Sequence, residues 1–494
     1  MFRSRTASNG LLGAALALLT GGTLHAQAAK PAPVAPAAAP AAAAQSVSTA
    51  KDRRKVSITV YNQNFGVVRE VRELATLPAG RVALEFQDVA ATIQPETVHI
   101  RSQSGAAALS VLEQNYRFDL LTPGKLLEKF VGRKVRVYRY HEATGKEQAS
   151  DAELLSVAER PVLRLNGEVT YDFGGRFAFP EVPDNLIAKP TLMWLLESRA
   201  PKQSVEVTYL AQNLNWNADY VVVLDEKETR ADITGWVTLV NQSGTSYENA
   251  ELKLVAGDVQ RVQPPPMARL HKRELGAASA PAPAFREEGL FEYHLYTLQR
   301  PTTVLSNEQK QVTLLEAKGA GVTKKLLFFG QQYWFRGNYG QVLSNQKVGV
   351  YLDLQNSEKN GLGMPLPKGT LRVYKADKSG AQQFVGEDSI DHTPRDERVR
   401  VKLGDAFDVV GDRKQMRWSA LGDCSSESSW EIELRNHKDT AVLVEDYEPV
   451  GGDWTIVNSS HPAERKDAQT FVFNVKVPAR GKTKITYTVR VRWC

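Results

Sequence analysis

Cysteine is nearly absent from this chain: Cys424 and Cys494 are the only two among 494 residues. No Cys-x-x-Cys, His-x-x-His or His-Glu-x-x-His spacing occurs, so no compact metal site is legible. There is no Gly-x-Ser-x-Gly nucleophile elbow. Ser48-Thr-Ala-Lys51 has a bare Ser-x-x-Lys spacing, but it lacks the partner motifs and sits in a segment read below as a tether. No glycine-rich loop opens a helix, and a strand-rich chain offers few helix N-termini for phosphate. No catalytic, cofactor-binding or metal-ligating residue is assigned, and no cofactor is expected. A strong charge of one sign is missing too. The 62 Lys+Arg and 56 Asp+Glu leave a net charge of +6, too mild over this length to imply nucleic acid. Past the N-terminus no run is apolar enough to span a bilayer, so no transmembrane segment is expected.

What is present begins with an export signature. Arg3 and Arg5 form a basic n-region, Leu11 to Thr20 is a short apolar run, and Ala26-Gln27-Ala28 is a small-x-small cleavage site. Residues 1–28 therefore read as a signal peptide cut after Ala28, and the protein is expected to be periplasmic or secreted. No cysteine follows the apolar run, so a lipid anchor is not expected. In an oxidising compartment the lone pair Cys424 and Cys494 is a candidate disulfide that would pin the chain end to a sheet.

Residues 29–50 are rich in Ala and Pro and read as a linker, with order expected from Val56. The basic run Lys51-Asp-Arg-Arg-Lys55 reads as a solvated lead-in to a strand. Period-two alternation then recurs along the chain. The most informative stretch is 235–258, where Trp236, Thr238 and Val240 alternate with Val237 and Leu239. Asn241 to Gly244 supplies a polar turn, and Leu252, Leu254 and Ala256 form a second run. One helix is expected, capped by Thr122, opened by Pro123, striped by Leu126, Leu127 and Phe130, and ended by Gly132. The fold class is all-β, with two or three antiparallel β-sandwich-like domains and one short helix in the N-terminal part. The expected divisions are an N-terminal β domain over 51–200, a central β domain over 201–345 with a flexible insertion near 263–286, and a C-terminal β-sandwich over 346–494.

Several spaced motifs share a resemblance: Gly235-Trp-Val-Thr-Leu239, Asn249 to Asp258, Tyr293-His-Leu-Tyr-Thr-Leu298, Pro367-Lys-Gly-Thr370, Arg435-Asn-His-Lys438 and Gly452-Asp-Trp454. Together they resemble a bacterial domain-of-unknown-function family that includes mucoidy-inhibitor-A-like proteins, over roughly residues 200–494. The resemblance implies an exported, β-rich protein and brings no established activity, cofactor or catalytic residue. Mucoidy-inhibitor-like members carry a long helical heptad segment before the core, and this chain has none.

Three polar groups stand out. Asp388, Ser389, Asp391 and His392 are the residue types of a nucleophile–base–orienter set, but they are also turn residues and read as a solvated turn. Asp446 and Glu448, near Asp453, could pair carboxylates for acid–base work or calcium, and read as loop charges beside Trp454. His437 reads as a hairpin tip. The reading that results is an exported non-enzymatic cell-envelope protein with a binding or structural role, whose partner is an envelope protein or polysaccharide and not nucleic acid. The alternatives are a periplasmic hydrolase acting on envelope polysaccharide, which needs Asp388 and His392 to face Asp446 or Glu448, and a surface adhesin.

Overall fold

Alternation of apolar and polar side chains builds strands along most of the described residues. The computed structural model describes residues 43–494 apart from 106–107, 118, 142–144, 184–185, 262–284 and 340–341, and it is all-β. The expected signal peptide over 1–28 and the site after Ala28 lie outside the described residues. So do residues 29–42 of the expected linker and most of the insertion near 263–286. The end of that linker is ordered: Ala44–Ser48 is a strand lying parallel to Gly80–Gln87. Its sequence, Ala-Gln-Ser-Val-Ser, has too little apolar patterning to read as a strand alone. A neighbouring sheet edge supplies its hydrogen bonds.

Four sheets are present among the described residues. A four-stranded sheet orders Ala44–Ser48, Gly80–Gln87, Thr191–Ser198 and Leu109–Arg117. It packs its Leu84, Phe86, Trp194 and Leu196 into one core with Val56, Ile58, Val60 and Val68 of an eight-stranded sheet. In the eight-stranded sheet, Arg53–Tyr61 lies between Phe65–Leu74, antiparallel, and Tyr247–Ala256, parallel. A thirteen-stranded sheet runs through Leu214–Leu224, Arg230–Asn241, Glu308–Phe329, Val342–Gln355, Arg398–Gly422, Ser425–Asn436 and Gly481–Arg492 as successive antiparallel neighbours. The expectation of antiparallel sheets needs correcting in part, because four strand pairs among the described residues are parallel. Parallel pairing needs a crossover instead of a hairpin, and in each of these pairs other strands intervene in the chain between the two partners.

The 235–258 unit is an arch between two sheets. Arg230–Asn241 belongs to the thirteen-stranded sheet and Tyr247–Ala256 to the eight-stranded one. Asn241 is fully buried at the bend. Its Nδ2 donates to the carbonyls of Thr245 at 2.9 Å and Leu305 at 2.9 Å, and its Oδ1 accepts from the Ser243 N–H at 3.1 Å. Asn436 repeats this arrangement, donating to Thr440 O at 2.8 Å and Pro478 O at 3.0 Å while accepting from Lys438 N at 3.0 Å. Asn356 does the same with Met364 O and Pro394 O, both at 2.9 Å, and Gly363 N at 3.1 Å. A buried asparagine thus meets the orphan backbone groups that each strand end leaves.

One apolar core draws side chains from Val56 to Val401, and a second from Leu326 to Val491. The long strands Glu308–Phe329 and Arg398–Gly422 thread both: Val312 and Val399 lie in the first, Phe328 and Val409 in the second. Residue 345, the expected end of the central domain, falls inside the strand Val342–Gln355, and the first core draws on several sheets at once. The expected helix is Pro123–Lys129, with Thr122 Oγ1 accepting from Lys125 N at 3.2 Å. Leu126, Leu127 and buried Phe130 cover Val135, Val137, Leu154 and Leu163 of a five-stranded sheet.

Candidate functional site

The lead-in at 51–55, read from sequence as solvated, borders a cleft of about 960 Å³ where the first two sheets meet. Thr49 starts the local structure. Its side chain accepts from Lys51 N and its N–H donates to Asp52 at 2.8 Å, a capping box on the single 3-10 turn Ala50–Asp52. That turn carries the chain from Ala44–Ser48 into Arg53–Tyr61 and leaves Lys51, Arg53, Arg54 and Lys55 on the cleft wall. Lys189, which precedes the strand Thr191–Ser198, also lines the cleft. Five cations therefore line the cleft against two carboxylates, Asp88 and Glu248. The remaining polar lining is Thr49, Thr245, Ser246, Asn249 and Ser306, and no aromatic ring takes part.

Arg53 is the fixed member. Its Nε donates to Glu70 at 2.7 Å and its Nη1 to Ser246 O at 3.4 Å. Glu70, fully buried, also holds Arg72, whose Nε and Nη2 both donate to the same oxygen at 3.1 Å. Arg72 completes its set on Gln87 O at 2.8 Å and lies 3.5 Å from the Phe86 ring centroid. Two guanidiniums thus share one carboxylate behind the cleft. Burial works against the charge on Arg53, but Glu70 outweighs it and raises the pKa; for Arg72 burial wins and lowers it. Lys189 pairs with Asp88 at 2.5 Å, while Arg54 pairs with Glu73 at 2.8 Å and Lys55 with Glu251 at 2.7 Å in exposed bridges. Glu70, Glu73 and Glu251 are not among the residues that line the cleft. Lys51 has no ion pair among the described residues. The arrangement is fitted to hold an anion.

The four residues of the polar run 386–394 do not form a triad. Asp388 accepts from its neighbour Ser389 N at 2.9 Å and from Lys402 N at 2.8 Å, which ties Gln382–Ile390 to Arg398–Gly422. Ser389 and Asp391 are exposed. His392 is half-buried between the Lys368 N–H, 3.2 Å from Nδ1, and the Asn62 amide, 3.3 Å from Nε2. Burial first, then the Lys368 charge, pushes its pKa down.

The loop reading of Asp446 and Glu448 is overturned. They lie two residues apart in the strand Val442–Pro449, on one face, both fully buried. Fully buried Arg413 donates through Nη2 to Asp446 at 3.1 Å and through Nη1 to Glu448, and Tyr487 OH donates to Glu448 at 2.9 Å. Burial and the neighbouring Glu448 charge raise the Asp446 pKa well above 3.8. Arg413 is what permits these carboxylates inside, and it lies 33 residues away in sequence from Asp446. Asp453 stands apart, exposed and paired with Arg492 at 3.3 Å. His437 is also corrected: it is not a hairpin tip but an exposed residue on the arch after Asn436, since Val442–Pro449 pairs with Thr470–Val477 and Glu308–Phe329.

Cys424 and Cys494 form a disulfide with Cα atoms 5.7 Å apart. The antiparallel register that sets Ser425 opposite Arg492 brings them together. Among the described residues no group of three or more His, Cys, Asp or Glu side chains is placed to hold a metal ion, and no helix is long and apolar enough to cross a membrane. A family model described as Domain of unknown function (DUF4139) matches residues 205–494. No curated protein matches the chain. Lys51, Arg53, Arg54, Lys55 and Lys189 all precede the matched segment, whereas Thr245, Ser246 and Asn249 of the same lining lie within it.

Proposed function

The chain belongs to the DUF4139 family, and from that footing we propose that it is an exported, non-enzymatic protein of the cell envelope that binds an anionic partner in the cleft around Arg53. The cleft itself carries the reading: five cations face it, and the carboxylates that balance Arg53, Arg54 and Lys55 stand outside the lining. Export to the periplasm or beyond is supported by Arg3, Arg5 and the Ala26-Gln27-Ala28 site, and the disulfide is compatible with an oxidising compartment. Kinship with the mucoidy-inhibitor-A-like proteins is part of the same reading and rests on the spaced motifs between Gly235 and Trp454. The hydrolase reading has less support. Asp388 and His392 bond to different partners, and Asp446 and Glu448 are sealed in a core with Arg413. N-terminal sequencing of protein from the periplasmic or secreted fraction should begin at Ala29. An intact Met1 in the cytoplasm would overturn export. Reversing Lys51, Arg54 and Lys55 to Glu should release envelope material that co-purifies with the native protein, and unchanged recovery would overturn the cleft as the binding element.

A further inference from the structure

We infer that the cleft takes an acidic glycan strand, a hydrophilic chain bearing repeated carboxylate or phosphate groups; this rests on the anion-binding reading above. Three observations carry it. The first is the layout of charge. Lys51, Arg53, Arg54 and Lys55 follow one another through a turn and into a strand, where residues advance about 3.3 Å each. Side chains alternate along a strand, and the partners Glu70 and Glu73 lie on one neighbouring strand and Glu251 on another. The charges are therefore spread over the lining instead of converging on one point, which suits an extended polyanion better than a single small ion.

The second is the rest of the lining. Hydroxyl and amide groups of Thr245, Ser246, Asn249 and Ser306 face the same space, and each can donate and accept as sugar hydroxyls require. No ring lines the cleft, so a nucleobase finds nothing to stack on, although stacking is how sequence-tolerant sites hold single strands. The third is preorganisation. Glu70 fixes the Arg53 guanidinium before any ligand arrives, so less ordering is lost on binding. Arg54 and Lys55, in contrast, sit in exposed ion pairs that contribute little and exchange readily for a ligand anion.

The test titrates the mature protein with four probes at two salt concentrations: polygalacturonate, poly(glycerol phosphate), neutral dextran and a single-stranded oligothymidylate. At least one acidic polymer should bind, weaken as salt rises, and outcompete the oligonucleotide, while dextran should not bind. Which acidic polymer binds identifies the anionic group. Lys51→Glu/Lys55→Glu changes only exposed side chains and should weaken binding at least about tenfold with an unchanged melting temperature. Binding of the oligonucleotide in preference to both acidic polymers, lost in the double variant, would overturn the glycan while leaving the anion cleft standing. Binding of an acidic polymer that the double variant does not weaken would overturn both, as would binding of no polyanion at all.

Discussion

Replacing Arg413 by Met should unsettle the C-terminal core more than any exposed substitution. Arg413, Asp446 and Glu448 are fully buried, and the Arg413 guanidinium also packs 5.0 Å from the ring centroids of Phe328 and Trp334. Two carboxyl groups against one guanidinium are neutral only if one proton is retained. Burial and the Glu448 charge raise the Asp446 pKa, which favours keeping that proton there. Removing Arg413 strands the Glu448 carboxylate, at a cost of about 3–5 kcal/mol. For a cooperative unit of roughly 150–250 residues this lowers the melting temperature by about 6–20 °C. Asp446→Asn behaves differently. It swaps a neutral acid for a neutral amide of similar shape, and should cost about 1 kcal/mol or less. The pH dependence separates the two further. A folded pKa raised above 3.8 means that the Asp446 contribution is complete below 3.8 and is lost as pH rises toward the folded value. Thermal melts of the native protein and Asp446→Asn from about pH 4 to 8 should therefore show the variant gaining on the native protein as pH rises. If Asp446→Asn costs as much as Arg413→Met, or its deficit widens with pH, then Asp446 is ionised at neutral pH and the reasoning fails.

Other expectations follow from the same structure. Unfolded without reductant, the protein should show no reactive thiol, and Cys494→Ser should lose about 4 kcal/mol for a closed loop of this length; two reactive thiols would rule the bridge out. Asn436→Ala removes the donors to Thr440 O and Pro478 O and should cost about 2–4 kcal/mol in urea unfolding, and a loss under about 0.5 kcal/mol would show that water replaces them. A Cβ at Gly369 would lie 2.0 Å from Ala218 O across a parallel pair. Gly369→Ala should accordingly destabilise by about 1–3 kcal/mol, and an unchanged midpoint would mean that the pair is not formed. His392 should titrate below 6.5 by NMR. The stability it lends is present above 6.5 and lost as pH falls through the lowered value, so a titration at or above 6.5 would contradict its burial against Lys368.

The all-β class, the helix at Pro123–Lys129 and the strand pair around Leu239 and Leu254 were readable from sequence, because a two-residue or 3.6-residue period is a local property of the chain. The disulfide was readable because two cysteines allow one intramolecular pairing. Which strand pairs with which was not. Nothing in Asn241-Gln-Ser-Gly244 distinguishes a hairpin turn from an arch into another sheet, and that choice belongs to the carbonyls of Thr245 and Leu305 that Asn241 meets. Charged residues at strand positions 446 and 448 read as loop, since local pattern carries no record of a compensating Arg413. The cleft eluded the sequence for the same reason. Its basic run was visible, but the rest of its lining comes from Asp88, Lys189 and Gly244 to Asn249, far away in sequence. Periodicity is set by neighbours along the chain, whereas charge compensation, arch closure and cavity shape are set by groups that only folding brings within a few ångströms of each other.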